Sequence, residues 1–290
     1  MIIDVHTHIF PPEFIRDREH IATQCPYFAE LYARPAQKMA TADDLLESMT
    51  QSGVDRSVAF GFPWRDPERL RTANDYVFES AERSDGRIIP FAVVDPGNTD
   101  RTEEEIVRLR GRHIGGIGEL MPDGQGFRLD DLHTMDGVMR LAAFHNLVVM
   151  VHTSEPVGHD YPGKGSVTPE VVCDLAEKFP GVKMICAHWG GGLLAYELMP
   201  EVAEHLRNVY YDCAAGSLLY DDRIFRIAAQ IVPQKILFGT DFPLLGQAPL
   251  LKRARRELAD TAHLDNFLGG NARRLFEDVR SPRILDDPKE

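Results

Sequence analysis

The chain has 290 residues, with Lys plus Arg at 32 and Asp plus Glu at 45, a formal net charge of −13. That length is too short for three typical domains and suits two of about 150 residues or one α/β domain of about 250. The acid excess speaks against nucleic acid as the main partner, because displacing counterions takes clustered Lys and Arg. The densest basic cluster, Lys252-Arg253-Ala254-Arg255-Arg256, reads as a solvated helix face. No apolar run approaches the ~18 residues of a membrane helix, so no membrane partner is expected. Met1-Ile2-Ile3 is followed at once by Asp4, which is not the pattern of an export signal. Cys25, Cys173, Cys186 and Cys213 form no CxxC pair, so reduced thiols in the cytoplasm are the expectation.

From the N-terminus, short β-branched apolar runs alternate with stretches of helical spacing. Residues 2–5 open the chain as a strand. Residues 10–40, rich in proline and charge, follow as a long irregular loop, the kind that serves as a lid or substrate wall. Residues 41–52 read as a helix with apolar Leu45, Leu46 and Met49, an N-cap in Thr41 and a C-cap in Gly53. The strands 56–60, 88–94, 114–120, 147–152, 183–188, 209–212 and 235–239 come next. They are separated by helices at 66–83, 102–112, 130–145, 168–179, 193–205 and 221–231, and two more, at 249–259 and 263–276, end the pattern. Strands alternating with helices of this length predict a parallel sheet with helices outside it. Eight repeats without a linker, and without GxGxxG after the first strand, predict a single-domain (β/α)8 TIM barrel with a long loop after strand 1. The barrel spans residues 1–280, and 281–290 form a polar tail.

A barrel of this kind carries its active site at the C-terminal ends of its strands. Five of the eight strands end in a side chain able to bind a metal: His6 and His8, Glu119, His152, His188 and Asp241. His6 and His8 are two apart, so in a strand both imidazoles face one side. Imidazole suits zinc, iron, manganese, nickel and cobalt. His152 and His188 each close a fully apolar strand, where a satisfied core histidine is the plainer alternative. Asp241 follows Phe238-Gly239-Thr240, and a carboxylate there is costly unless paired, bound to a cation or capping a turn.

Together these motifs resemble the amidohydrolase superfamily, in the branch of aminocarboxymuconate-semialdehyde decarboxylase and related decarboxylases and hydrolases. The resemblance rests on Asp4-Val5-His6-Thr7-His8, Val151-His152, Ala187-His188-Trp189-Gly190-Gly191-Gly192, Gly239-Thr240-Asp241-Phe242-Pro243 and Gly270-Asn271-Ala272-Arg273-Arg274-Leu275-Phe276, in the family's order over residues 2–276. It implies His6, His8, His152 and Asp241 as metal ligands, His188 as an acid/base or electrostatic group, and Asp241 as the acceptor of a water proton. It implies one divalent ion, zinc first, with manganese, iron, cobalt or nickel as alternatives. Many superfamily members carry a carbamylated lysine on strand four; this chain has Glu119 there, which opens a second metal site, a substrate contact or a support for a histidine.

Substrate contacts are expected from the loops. Arg65 is a candidate carboxylate clamp beside Trp64, and His159, Tyr161 and Lys164 follow His152 in a loop suited to an anion. Trp189 is a candidate pocket wall. Each of these also has a plain structural reading, as an exposed arginine, a self-bonded loop or a core tryptophan. The expectation is hydrolysis of a lactone, amide or ester of a small carboxylate, with decarboxylation of an aromatic or unsaturated acid as the alternative and a non-catalytic barrel as the third choice. A homo-oligomer is compatible with all three.

Overall fold

The computed structural model describes residues 1–259 and 262–280; the tail at 281–290 lies outside the described residues. Eight strands run parallel in chain order: β1 (Ile3–His8), β2 (Arg56–Phe60), β3 (Ile88–Ala92), β4 (Gly116–Leu120), β5 (Val148–Val151), β6 (Met184–Cys186), β7 (Val209–Asp212) and β8 (Ile236–Leu237). Hydrogen bonds cross the seam between β1 and the end of β8. Val5 N–H donates to Phe238 O at 2.8 Å, Asp241 N–H to His6 O at 2.9 Å and His8 N–H to Phe242 O at 2.7 Å. The sheet is thereby the (β/α)8 barrel that the alternation predicts.

Strand periodicity divides the core in two. Val58, Phe60, Ile89, Phe91, Val148 and Met150 fill the barrel interior, joined by Leu275 and Phe276 of the C-terminal helix (Asn271–Arg280). Ala59, Ile88, Ala92, Val149 and Val151 face the outer helices. The helix over Ala42–Ser52 has the predicted ends: Thr41 Oγ1 accepts from Asp44 N–H at 3.2 Å, and Gly53 closes it at φ 76°. Lys252–Arg256 lie on an outer helix, where Arg253 and Arg256 pair with Asp222. Among the described residues no helix is long and apolar enough to cross a membrane.

The segment after β1 departs from the expected irregular loop. It folds into three short helices, α1 (Pro12–Arg16), α2 (Arg18–Gln24) and α3 (Pro26–Tyr32). Pro12 and Pro26 stand in the first turn, where proline is tolerated because its N–H would be unpaired anyway. Helices this short are not stable alone and form by packing. Here Phe28 of α3 supplies it, with its ring against Phe10, Phe62 and Trp64.

Candidate metal centre

The register of the sheet shifts at two pairings, between Asp4 and Thr7 on β1 and between Ile117 and Leu120 on β4. Each shift re-aims side chains, as strand irregularities do beside active sites. On β1, Val5 packs in the inner cluster, and the next residue, His6, still faces inward, its ring 5.2 Å from that of Phe60. On β4, Ile117 and Leu120 both face the helices, which leaves Glu119 pointing into the barrel. Strict alternation would have turned one member of each set away.

Glu119 is the hinge of the site. Its Oε2 lies 3.5 Å from both His6 Nε2 and His8 Nε2, and Asp241 Oδ1 faces the same imidazoles at 3.7 and 3.3 Å. Its Oε1 lies 3.0 Å from His152 Nδ1 and 3.7 Å from His188 Nε2. The donor atoms therefore gather as two groups sharing one carboxylate, His6–His8–Glu119 and Glu119–His152–His188. His152 stands with His188, apart from the pair on β1.

Hydrogen bonding fixes which ring nitrogens face the centre. His6 Nδ1–H donates to Asp212 Oδ2 at 2.9 Å, so Nε2 presents a lone pair, and that buried atom has no hydrogen-bond partner. His152 Nε2–H donates to Gly163 O at 2.9 Å, and His188 Nδ1–H donates to Ala214 O at 2.8 Å. Carbonyls only accept, so His152 Nδ1 and His188 Nε2, 3.1 Å apart, turn lone pairs toward each other and toward Glu119. Buried lone pairs converging in this way need a proton or a cation between them. The donor set of imidazoles and carboxylates fits a divalent ion.

The charges are coupled: against the opposing effect of burial, Glu119 and Asp212 push His6 well up and Glu119 pushes His152 up, so protons and a cation compete for these nitrogens. Burial opposes ionisation of Glu119, yet neighbouring His6 and His152 hold its carboxyl well below the usual range. Burial likewise works against Asp241, and His8 and His6 bring it down to about 2. Burial and the neighbouring His152 ring push His188 down, which favours its neutral form.

Asp212, Tyr32 and Glu30 support the centre and were not singled out in the sequence. Asp212 ends β7 fully buried; it accepts from His6 as above and from the backbone N–H of His188 and Ala214, both at 3.0 Å. The rule that found Asp241, a carboxylate closing a buried strand, applies to it equally. Gly239 makes room behind this pair, since a Cβ there would lie 3.1 Å from the Cβ atoms of both His6 and Asp212. Tyr32 of α3 lines the pocket over the centre, and burial together with Asp241 and Glu119 pushes its phenol up, keeping it protonated. Glu30 accepts from Gly163 N–H at 2.9 Å, which ties α3 to the peptide that holds His152. Their sequence setting, a stretch of short helices, offers no periodic signal.

A cavity of about 380 Å³ opens above the centre, with His8, Glu119, His152, His188 and Asp241 at its floor. His159 and Tyr161 line it, and the Tyr161 hydroxyl donates to Glu155 at 2.8 Å. Lys164 does not line it; its ammonium donates to the carbonyls of Val157, Gly158 and His159. Trp64 and Arg65 line a neighbouring groove, where Arg65 Nε–H donates to Gly124 O at 2.9 Å. Trp189 is fully buried, stacked with Phe267 and edge-on to Phe225. It lies in a left-handed run from His188 through Gly192 that swings the chain away from β6.

The fold and the histidine–carboxylate rim are those of a metal-dependent barrel enzyme. The chain belongs to the amidohydrolase family, whose model matches residues 3–277. No curated protein matches it. Among solved structures it is similar to 5-carboxyvanillate decarboxylase from Sphingomonas paucimobilis, at 18% identity and a TM-score of 0.76, covering 95% of this chain and 98% of that one. It is also similar to 5-carboxyvanillate decarboxylase from Novosphingobium aromaticivorans complexed with manganese and 4-hydroxy-3-methoxy-5-nitrobenzoic acid, at 15% identity and a TM-score of 0.73, covering 96% of each chain. The 2,6-dihydroxybenzoate decarboxylase from Rhizobium aligns at 19% identity and a TM-score of 0.63, over 95% of this chain and 98% of that one. At these identities the likeness establishes the fold.

Proposed function

We propose that the chain is a divalent-metal-dependent carboxy-lyase acting on an aromatic or unsaturated carboxylic acid. The observation that carries this reading is the set of inward-facing lone pairs, a floor that calls for a cation, beneath a pocket walled by apolar and aromatic side chains. The similar solved structures named as decarboxylases support it over hydrolysis. His6 Nε2, His8 Nε2, Glu119 Oε2 and Asp241 Oδ1 would hold the ion, zinc first, with manganese, iron, cobalt or nickel able to serve. Bound there, a divalent cation supplies Lewis-acid charge that fixes a carboxylate. The residues do the rest. Glu119 and Asp241, both ionised, hold the imidazoles in place. His188 Nδ1–H is committed to Ala214 O and Nε2 faces the pocket with a lone pair, so Nε2 would first take up a proton from solvent; burial and the neighbouring His152 make the resulting imidazolium a ready donor. As the carbon–carboxylate bond breaks, its electron pair stays on the substrate carbon, carbon dioxide leaves, and that carbon takes the proton from His188 Nε2.

A second reading is hydrolysis, favoured by the Glu119–His152–His188 group. If a second ion fills that group, His188 becomes a ligand and cannot carry the proton. Asp241 is then the group left to accept a proton from an attacking water. Occupancy therefore separates the two reactions. Metal-loaded protein is assayed for metal stoichiometry and against a mixed panel of aromatic acids, esters and lactones. One ion per chain with release of carbon dioxide supports the carboxy-lyase. Two ions with proton release at constant carbon count would replace it with the hydrolase.

A further inference from the structure

The walls of the cavity are unlike its floor. Leu31, Phe62, Met121, Leu218, Leu219 and Leu244 form most of them, with Tyr32, Gln37, His159 and Tyr161 beside them, and among the described residues the only carboxylates lining the space, Glu119 and Asp241, belong to the floor. Among the described residues no arginine lines the cavity, and its one lysine, Lys38, stands exposed on the lid segment after α3. The two cations expected from sequence to meet an anion are engaged elsewhere, Arg65 on the carbonyl of Gly124 and Lys164 on the carbonyls of its own loop. Leu218 and Leu244, at 57% and 53% exposed, carry the apolar character out to the mouth. An ionised group placed against Leu218, Leu219 and Leu244 would lose its water without gaining a partner from that face. An alkyl or aryl group there would gain by leaving water.

We propose that this pocket selects acids with a single carboxylate, held at the floor, and an apolar, uncharged distal body lying against Leu218, Leu219 and Leu244. The assignment rests on the proposed carboxy-lyase reading for which end of the substrate faces the centre. It adds the chemical class of the other end: alkyl- or aryl-substituted monoacids, with discrimination against a second ionised group.

The test is binding, kept separate from turnover. Zinc-loaded protein is titrated by calorimetry with benzoate, 4-methyl-, 4-ethyl- and 4-propylbenzoate, and with 4-carboxybenzoate. Each added methylene should tighten binding by up to about fourfold, and 4-carboxybenzoate should bind at least about tenfold more weakly than 4-methylbenzoate. Leu218→Arg and, as an independent variant, Leu244→Arg sit at exposed positions and should flatten the alkyl series and recover the dianion. A flat series in the wild-type chain, a dianion that binds as tightly as the methyl compound, or no binding of any probe would overturn the proposal. Carbon dioxide release from the same acids is scored separately. A selective series without turnover would sink the carboxy-lyase reading and leave the pocket assignment standing.

Discussion

Asp212→Asn tests how the centre is held. The carboxylate has two jobs on two oxygens: Oδ2 accepts from His6 Nδ1–H at 2.9 Å, and Oδ1 accepts from the backbone N–H of His188 and Ala214, both at 3.0 Å. An amide can keep only one of them. If its NH2 faced the backbone, two buried N–H groups would lose their acceptor, at about 1–3 kcal/mol each. If its NH2 faces His6, one hydrogen bond is exchanged for another, provided His6 moves its proton from Nδ1 to Nε2. The second arrangement is favoured on those magnitudes, and it removes the lone pair from the atom that would bind the ion. Loss of such a supporting carboxylate typically weakens metal affinity by ~10- to 100-fold, or ~1.4–2.8 kcal/mol. Metal-stripped wild-type and variant protein are titrated with zinc against a chromophoric chelator, with fold checked by circular dichroism. Equal affinity in a folded variant would refute the tautomer argument. Asp212→Ala, which strands all three donors, should instead show its main effect as a lower Tm.

His6→Ala combined with His8→Ala should abolish metal content at the first donor group while the barrel still folds, because its core is built by other residues; metal analysis after dialysis reads this. Chelation should abolish turnover and a divalent ion restore it; activity that survives exhaustive chelation removes the metal from the mechanism. Asp241→Asn keeps an oxygen at the first group but cannot accept a proton. Hydrolysis should fall by ~10²- to 10⁴-fold, whereas a carboxy-lyase should lose activity only as far as metal affinity falls. Gly191→Ala should destabilise the fold by about 2–5 kcal/mol in urea denaturation, since residue 191 sits at φ 60° and a Cβ would collide with the Ser154 carbonyl.

The barrel was legible because its signal is repeated. A fully buried parallel strand needs apolar residues on both faces, and eight such runs recur in the sequence, as in Val148–Val151. Boundaries were less legible where one atom decides them. The expected helix over 193–205 is split: a 3₁₀ stretch runs to Leu198, Met199 takes extended backbone, and an α-helix follows over Pro200–His205. The helix expected over 263–276 is broken by non-helical backbone at Gly269, before Asn271–Arg280 resumes. The helices α1 to α3 left almost no trace, since their stability comes from Phe28 and its aromatic neighbours, and each spans at most seven residues.

The centre shows why spacing reveals some donors and hides their grouping. Strand alternation places His6 and His8 on one face from sequence alone. It cannot say that Glu119 also points inward, because that depends on a register shift on β4 that no residue pattern announces. Nor can it divide the donors, for the division rests on which nitrogen of His152 is committed to the carbonyl of Gly163. The same residue, Gly163, donates its N–H to Glu30 of α3, the element least visible in the sequence. The atoms that decide whether one ion or two can bind are therefore set by contacts distant in the chain. Reaction class follows from that geometry more directly than from the ligand motif itself.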